Sequence, residues 1–142
     1  MKGLYIHIPF CLKKCKYCDF NSFTFSCEDK TSYLNALIKN MQNYEVEKID
    51  TVFIGGGTPT SLNPDELGKL LDAVTSTFEL SSSCEFTVEM NPKTVDKEKL
   101  SVLKEKGVNR LSLGVQSFND KELMKIGRIH TAQRSFLFGT SL

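Results

Sequence analysis

Thr51-Val52-Phe53-Ile54-Gly55-Gly56-Gly57-Thr58-Pro59, running on through Thr60-Ser61-Leu62 to Asn63-Pro64-Asp65-Glu66-Leu67, is the stretch that decides the fold. Thr51 to Ile54 is short, apolar and rich in residues that favour strands. After the glycines, Asn63 can cap a helix with Pro64 at its first position, and Glu66 is placed to complete a capping box. Leu67, Leu70, Leu71 and Val74 then recur at helical spacing. The stretch therefore reads as strand, small-residue loop, capped helix. The same unit recurs along the chain. Further strands are predicted at Leu4 to Ile8, Cys84 to Val88 and Arg110 to Val115. Leu34, Leu37, Ile38 and Met41 mark one more helix. Another is predicted from Asp96 to Lys106, presenting Leu100 and Leu103 and ending at Gly107. Asn119 and Glu122 repeat the cap spacing before a helix expected to hold Leu123, Met124 and Ile126. The order βαβαβαβα favours a parallel sheet with right-handed crossovers.

Four such units are half of a closed (β/α)8 barrel, which takes about 250 residues. The predicted fold class is thus α/β with four parallel βα units, either a small open sheet or a piece of something larger, an open partial barrel. Residues 1–142 read as one unit without a linker. The last stretch, about 133–142, is atypical, because Phe136, Leu137 and Phe138 have no further crossover to pack against. It is expected to reflect a truncation or an altered reading frame.

With 40% hydrophobic and 25% charged residues, the composition is that of a water-soluble globular chain. A net charge of +1 gives no reason to invoke nucleic acid or an anionic membrane as partner. No apolar run approaches the roughly 18 residues of a membrane span, and MKGLYIHIPF lacks the features of a secretory signal. Three of the five cysteines fall within eight positions, unlike the even, spread set of a disulfide scaffold. A reducing cytoplasm, where clustered thiols bind metal more often than they pair, is the expected location.

Side chains alternate across a strand. Tyr5 and His7 therefore oppose Leu4, Ile6 and Ile8; Thr87 and Glu89 oppose Phe86 and Val88; Ser112, Gly114 and Gln116 oppose Leu111, Leu113 and Val115. One face is apolar and suits the helices. The other is polar or small and suits a cavity. The unusual residues also fall at the C-terminal ends of the strands: the cysteine loop, Gly55-Gly56-Gly57-Thr58-Pro59, Glu89-Met90-Asn91-Pro92 and Gln116-Ser117-Phe118. In parallel α/β folds that rim binds ligands.

Cys11, Cys15 and Cys18, spaced C-x3-C-x2-C, put three thiols on one tight loop. Thiolates hold iron–sulfur clusters, and three ligands for four irons leave one iron open. Zinc is the rival, although a structural zinc site normally takes four protein ligands; Cys27 and Cys84 lack the local spacing and read as ordinary cysteines. The glycine run is neither a P-loop nor a dinucleotide fingerprint. It is either a turn or a backbone cradle for a ligand. Glu89 reads as a ligand acceptor or a rim salt bridge, Gln116 as a ligand group or an interior amide, and Arg128 as a carboxylate partner or an exposed cation. His7 and His130 read as structural.

Leu4-Tyr5-Ile6-His7-Ile8-Pro9-Phe10-Cys11, with Cys15, Tyr17, Cys18, Asp19 and Phe20, resembles the radical S-adenosylmethionine superfamily. More narrowly, it resembles the family of oxygen-independent coproporphyrinogen III oxidase and the related haem chaperone HemW. The likeness continues through GGGTPT, VEMNP, RLSLGVQSF and GRIHT and covers residues 3–132. It implies a 4Fe–4S cluster on the three cysteines, with S-adenosylmethionine chelating the open iron and open to reductive cleavage to a deoxyadenosyl radical. By the same likeness Tyr5 and Tyr17 contact the nucleoside, and Gly56, Gly57 and Thr58 hold the methionine end. Glu89 and Gln116 bind ribose or methionine polar groups, and Arg128 faces a carboxylate. Oxidase members resemble C-x3-C-x2-C-x-C, whereas this chain has Phe20 at the fourth position, as the haem chaperone branch does. That branch implies haem as cargo and a haem-recipient protein as partner; the oxidase branch implies a porphyrinogen.

Overall fold

A computed structural model of the chain describes residues 1–44 and 48–139. Residues 140–142 of the tail, and the side chains of Cys27, Leu137 and Phe138, lie outside the described residues. Four strands, β1 (Gly3–Ile8), β2 (Ile49–Gly56), β3 (Leu80–Met90) and β4 (Arg110–Leu113), form one sheet in the order β1-β2-β3-β4. Every pairing is parallel. Helices α1 (Cys27–Met41), α2 (Pro64–Thr77), α3 (Lys97–Glu105) and α4 (Asp120–Lys125) separate or follow the strands as the periodicity predicts, and α5 (Ala132–Gly139) is added at the end.

Local chemistry accounts for the helix starts. The Asn63 side chain accepts from the Glu66 N–H while Glu66 reaches back to the Asn63 N–H, so the predicted capping box forms. Ser26 and Asp29 make an equivalent box at α1, and Asp96 caps α3. Gly107 ends α3 at φ +85°. The box expected at α4 is incomplete. Asn119 caps the helix, but Glu122 is taken by the Ser117 hydroxyl, which also receives the Asn119 N–H. The Asn119 N–H is already donated to Ser117 Oγ, so none is left for Glu122 to accept.

The core lies between the apolar sheet face and α1 to α3. Ile6 and Ile8 of β1, Val52 and Ile54 of β2, and Phe86 and Val88 of β3 meet Leu34 and Met41, the four apolar residues of α2, and Leu103. Leu67, Leu70, Leu71 and Val74 have no exposed surface. Leu71→Ala should therefore cost about 2–5 kcal/mol, the range for a large buried aliphatic replaced by alanine. Urea unfolding should show a lower midpoint at unchanged slope.

The fourth helix holds Leu123 and Met124 as expected and is capped by Ile126; Leu123 is buried and Met124 exposed. One expectation needs correction. Phe136 is not unaccompanied: α5 brings it onto Phe118, with ring centroids 4.9 Å apart. The same helix buries Ser135 and directs Arg134 to the carbonyls of Pro92 and Val95. The opposite sheet face carries the predicted polar and small groups, with one exception. Phe53 of β2 lies there and stacks on Tyr5 at 6.1 Å.

Candidate functional site

The cysteine loop leaves β1 at Pro9 and returns at Phe23. It is closed by backbone bonds from Cys11 N–H to Phe23 O (3.0 Å) and from Phe23 N–H to Pro9 O (2.9 Å). Phe10, 1% exposed, anchors it by edge-on contacts with Phe23, Phe25 and Tyr33 at 5.1–5.8 Å. Inside the loop, Lys14 donates to the carbonyls of Phe20 and Ser22, both at 3.2 Å. His7 braces it from the sheet. Asn21 O can only accept, so His7 Nε2 donates to it at 2.9 Å, which leaves Nδ1 to accept from the Tyr5 hydroxyl at 2.9 Å. The structural role expected for His7 is thus visible.

The glycine loop approaches from β2. Gly57 N–H donates to Ile8 O at 2.8 Å, extending the β1–β2 ladder past the strands. A Cβ on Gly57 would lie 2.8–2.9 Å from the backbone of Pro9 and Phe10, so the cysteine loop and glycine loop touch backbone to backbone. Gly56, at φ +111°, leaves room for the His7 ring, and its N–H donates to Glu89 Oε2 at 3.1 Å. Two lysines brace the loop from below. Lys99 donates to Thr60 O and Thr94 O, both at 2.8 Å, and Lys30 to Ser61 O at 3.2 Å. Burial pulls the Lys99 ammonium below its usual value. Composition and motif reading missed both, since a lysine in an amphipathic helix reads as a solvent-facing charge.

Together these loops and the ends of β3 and β4 line a cavity of about 360 Å³. Cys11, Cys15, Cys18, Tyr17, Gly56, Gly57, Thr58, Glu89, Gln116 and Arg128 all face it, along with Lys13, Phe20 and Met90. The Cys11 thiol lies 3.6 Å from the Thr58 hydroxyl, and Cys11, Cys15 and Cys18 are free. Tyr5 is the exception among the residues carried over by resemblance. It sits three residues before the end of β1, about 10 Å below the rim at the rise of a strand, and is occupied by His7 and Phe53.

Gln116 is exposed, not the interior amide of the alternative reading. Its φ is +68°, and Ser117 N–H bonds to Val115 O across it at 2.9 Å. A three-residue turn with positive φ at its centre is rare and strained, and such strain gathers at ligand sites. Arg128 is half-buried and directs Nη1 to Cys15 Sγ at 3.4 Å and Nη2 to Gly114 O. Among the described residues its partners are a thiol and a carbonyl, and its buried Nε has no acceptor. Burial pushes the Tyr17 phenol up; Arg128 pulls it down and Cys15 raises it. His130 is buried with Nε2 on Val115 O at 3.1 Å, and burial lowers its pKa, consistent with a neutral structural ring.

The donor set suits the group that the resemblance implies. Three free thiols and the Arg128 side chain line one concavity. Among the described residues no three His, Cys, Asp or Glu side chains converge closely enough to hold a single ion.

A profile of the Radical SAM superfamily matches residues 5–136, and the chain belongs to that superfamily. Within it, the chain is 49% identical over 141 residues to the heme chaperone HemW of Bacillus subtilis (strain 168), covering 96% of this chain and 37% of that protein. It is 41% identical to the HemW of Escherichia coli (strain K12), over 94% of this chain and 36% of that one. It is 38% identical to a mitochondrial radical S-adenosyl methionine domain-containing protein 1 of Danio rerio, over 94% and 31%. The solved structure of coproporphyrinogen III oxidase (HemN) from Escherichia coli, a radical SAM enzyme, superposes with a TM-score of 0.87 at 31% identity, covering 95% of this chain and 32% of that one. The chain thus spans about a third of the length of these relatives. The open parallel sheet with alternating helices is the partial barrel expected from the sequence.

Proposed function

We propose that this chain is the cluster- and S-adenosylmethionine-binding part of a HemW-like haem chaperone, with Cys11, Cys15 and Cys18 as ligands of a 4Fe–4S cluster. One observation carries the reading: the three free thiols line the same cavity as the glycine loop, Glu89, Gln116 and Arg128. When bound, the cluster supplies an electron to S-adenosylmethionine. The chain's own groups do the rest. Backbone groups of Gly56 and Gly57 and the Thr58 hydroxyl offer a polar cradle for an amino-acid end, the Arg128 guanidinium offers a positive charge to a carboxylate, and Tyr17 offers an aromatic face. Haem as cargo and a haem-recipient protein as partner are supported by the names of the relatives and by Phe20 in place of a fourth cysteine. Free thiols favour a reducing compartment such as the cytoplasm, and among the described residues no helix is long and apolar enough to cross a membrane.

Anaerobic reconstitution with iron and sulfide, followed by EPR with and without S-adenosylmethionine, tests this reading. The expected result is a cluster spectrum that changes on adding the ligand. A bound zinc ion, or a cluster spectrum indifferent to the ligand, would sink it. The oxidase reading is favoured by the HemN superposition. The two readings separate on a protein of the relatives' full length carrying this sequence: stoichiometric haem binding without porphyrinogen turnover supports the chaperone, and turnover supports the oxidase.

A further inference from the structure

Arg128 is held by the chain independently of any ligand. Its backbone N–H bonds to Leu123 O at 2.8 Å, and two residues earlier Ile126 O receives the Lys16 N–H of the cysteine loop at 3.0 Å. The turn after α4 and the cysteine loop are therefore seated on each other. The guanidinium spans that seam: Nη2 is fixed on Gly114 O, Nη1 points at Cys15 Sγ at 3.4 Å, and Nε is buried without an acceptor. A planar fork can hold a sulfur, a carbonyl and a third acceptor at once, which an ammonium cannot do in the same geometry.

We propose that Arg128 is a tuning residue for the metal centre: its Nη1–H donates to the Cys15 sulfur in the loaded protein and raises the reduction potential, whether or not a ligand is bound. The inference rests on the cluster reading above. Adding one electron to a cluster increases the negative charge on its thiolate sulfurs. A hydrogen bond and a positive charge at one of those sulfurs stabilise the reduced form more than the oxidised form.

The test is an EPR-monitored dithionite titration of anaerobically reconstituted wild type, Arg128→Gln and Arg128→Lys, all without S-adenosylmethionine. Leaving the ligand out isolates tuning from carboxylate binding. At the wild-type midpoint, the ratio of reduced to oxidised cluster should fall about tenfold in Arg128→Gln, which is ~59 mV for a one-electron couple. Arg128→Lys should fall between, since it keeps the charge and loses the sulfur bond. Midpoints equal to wild type in both variants overturn the proposal and leave Arg128 as a ligand-binding group only. Should Arg128→Gln fail to load, the Arg128→Lys midpoint decides alone: a drop supports tuning and no drop refutes it. Absence of iron from the wild type would overturn the cluster reading and this proposal with it, and iron analysis shows that before any potential is measured.

Discussion

Cys15→Ala, reconstituted anaerobically with iron and sulfide, should retain less than about a tenth of the wild-type iron. Losing only a hydrogen-bonded partner of a metal ligand typically costs 10–100-fold in affinity, so loss of a ligand itself should cost at least that. Cys15 is the middle thiol of the loop, faces the cavity and touches Arg128. The loop around it is anchored by Phe10, Phe23 and Lys14, none of which depends on the Cys15 side chain, so the variant should fold and the loss should be local. Cys84→Ala is the matched control. Cys84 lies on β3, its thiol 3.8 Å from Glu85 O, and burial pushes that thiol up, away from the thiolate a metal needs. Its iron content should equal wild type. Equal iron in both variants would refute the cysteine assignment.

Gly57→Ala should be nearly as damaging by a different route. The added methyl would lie 2.8 Å from Phe10 O and 2.9 Å from both Phe10 N and Pro9 C. These are backbone atoms, which cannot swing aside as a flexible side chain would. The end of β1 or the glycine loop must shift, at a cost of about 1–3 kcal/mol typical of overpacking. Cys11 follows Phe10 directly, and Thr58 follows Gly57, so both halves of the site move. Affinity for S-adenosylmethionine should drop at least about tenfold, given the precision that positioned sites require. Gly68→Ala provides the contrast. Gly68 lies inside α2, and its methyl would meet only Val102 Cγ1 of α3 at 3.8 Å, an ordinary contact. That change should stabilise the chain by roughly 0.5–1 kcal/mol. Urea unfolding and ligand titration of the pair check the claim; a Gly57→Ala protein with wild-type midpoint and affinity would show that the close approach is not required.

Much of the fold was legible because its causes are short-range. The cap at Asn63, the leucine spacing of α2 and the stop at Gly107 each involve residues within a turn or two of one another, so a linear pattern contains them whole. The face alternation separated the core in β1 and β3, where Ile6, Ile8, Phe86 and Val88 are buried, but in β4 Leu113 of the apolar set lines the cavity instead. Reading failed where a third partner intervened. Glu122 matches a capping box in spacing, yet Ser117 takes its carboxylate. Phe136 looked unpartnered because its partner, Phe118, becomes a neighbour only after α4 and α5 fold back. Tyr5 shares the polar face as predicted, with its hydroxyl on His7 Nδ1 rather than on the cavity wall.

The sequence alone determined the order of the units, the face each strand turns to the helices, and the identity of the three clustered thiols. Those follow from periodicity, capping and local spacing, which act between near neighbours. Only the tertiary structure decided which groups meet at the rim. Arg128 reaches Cys15 across 113 positions, and Lys99 reaches Thr60 across 39. No local pattern encodes such pairs. They come together because four parallel strands bring their C-terminal ends to one side, and burial there compels each backbone carbonyl and guanidinium to find a partner.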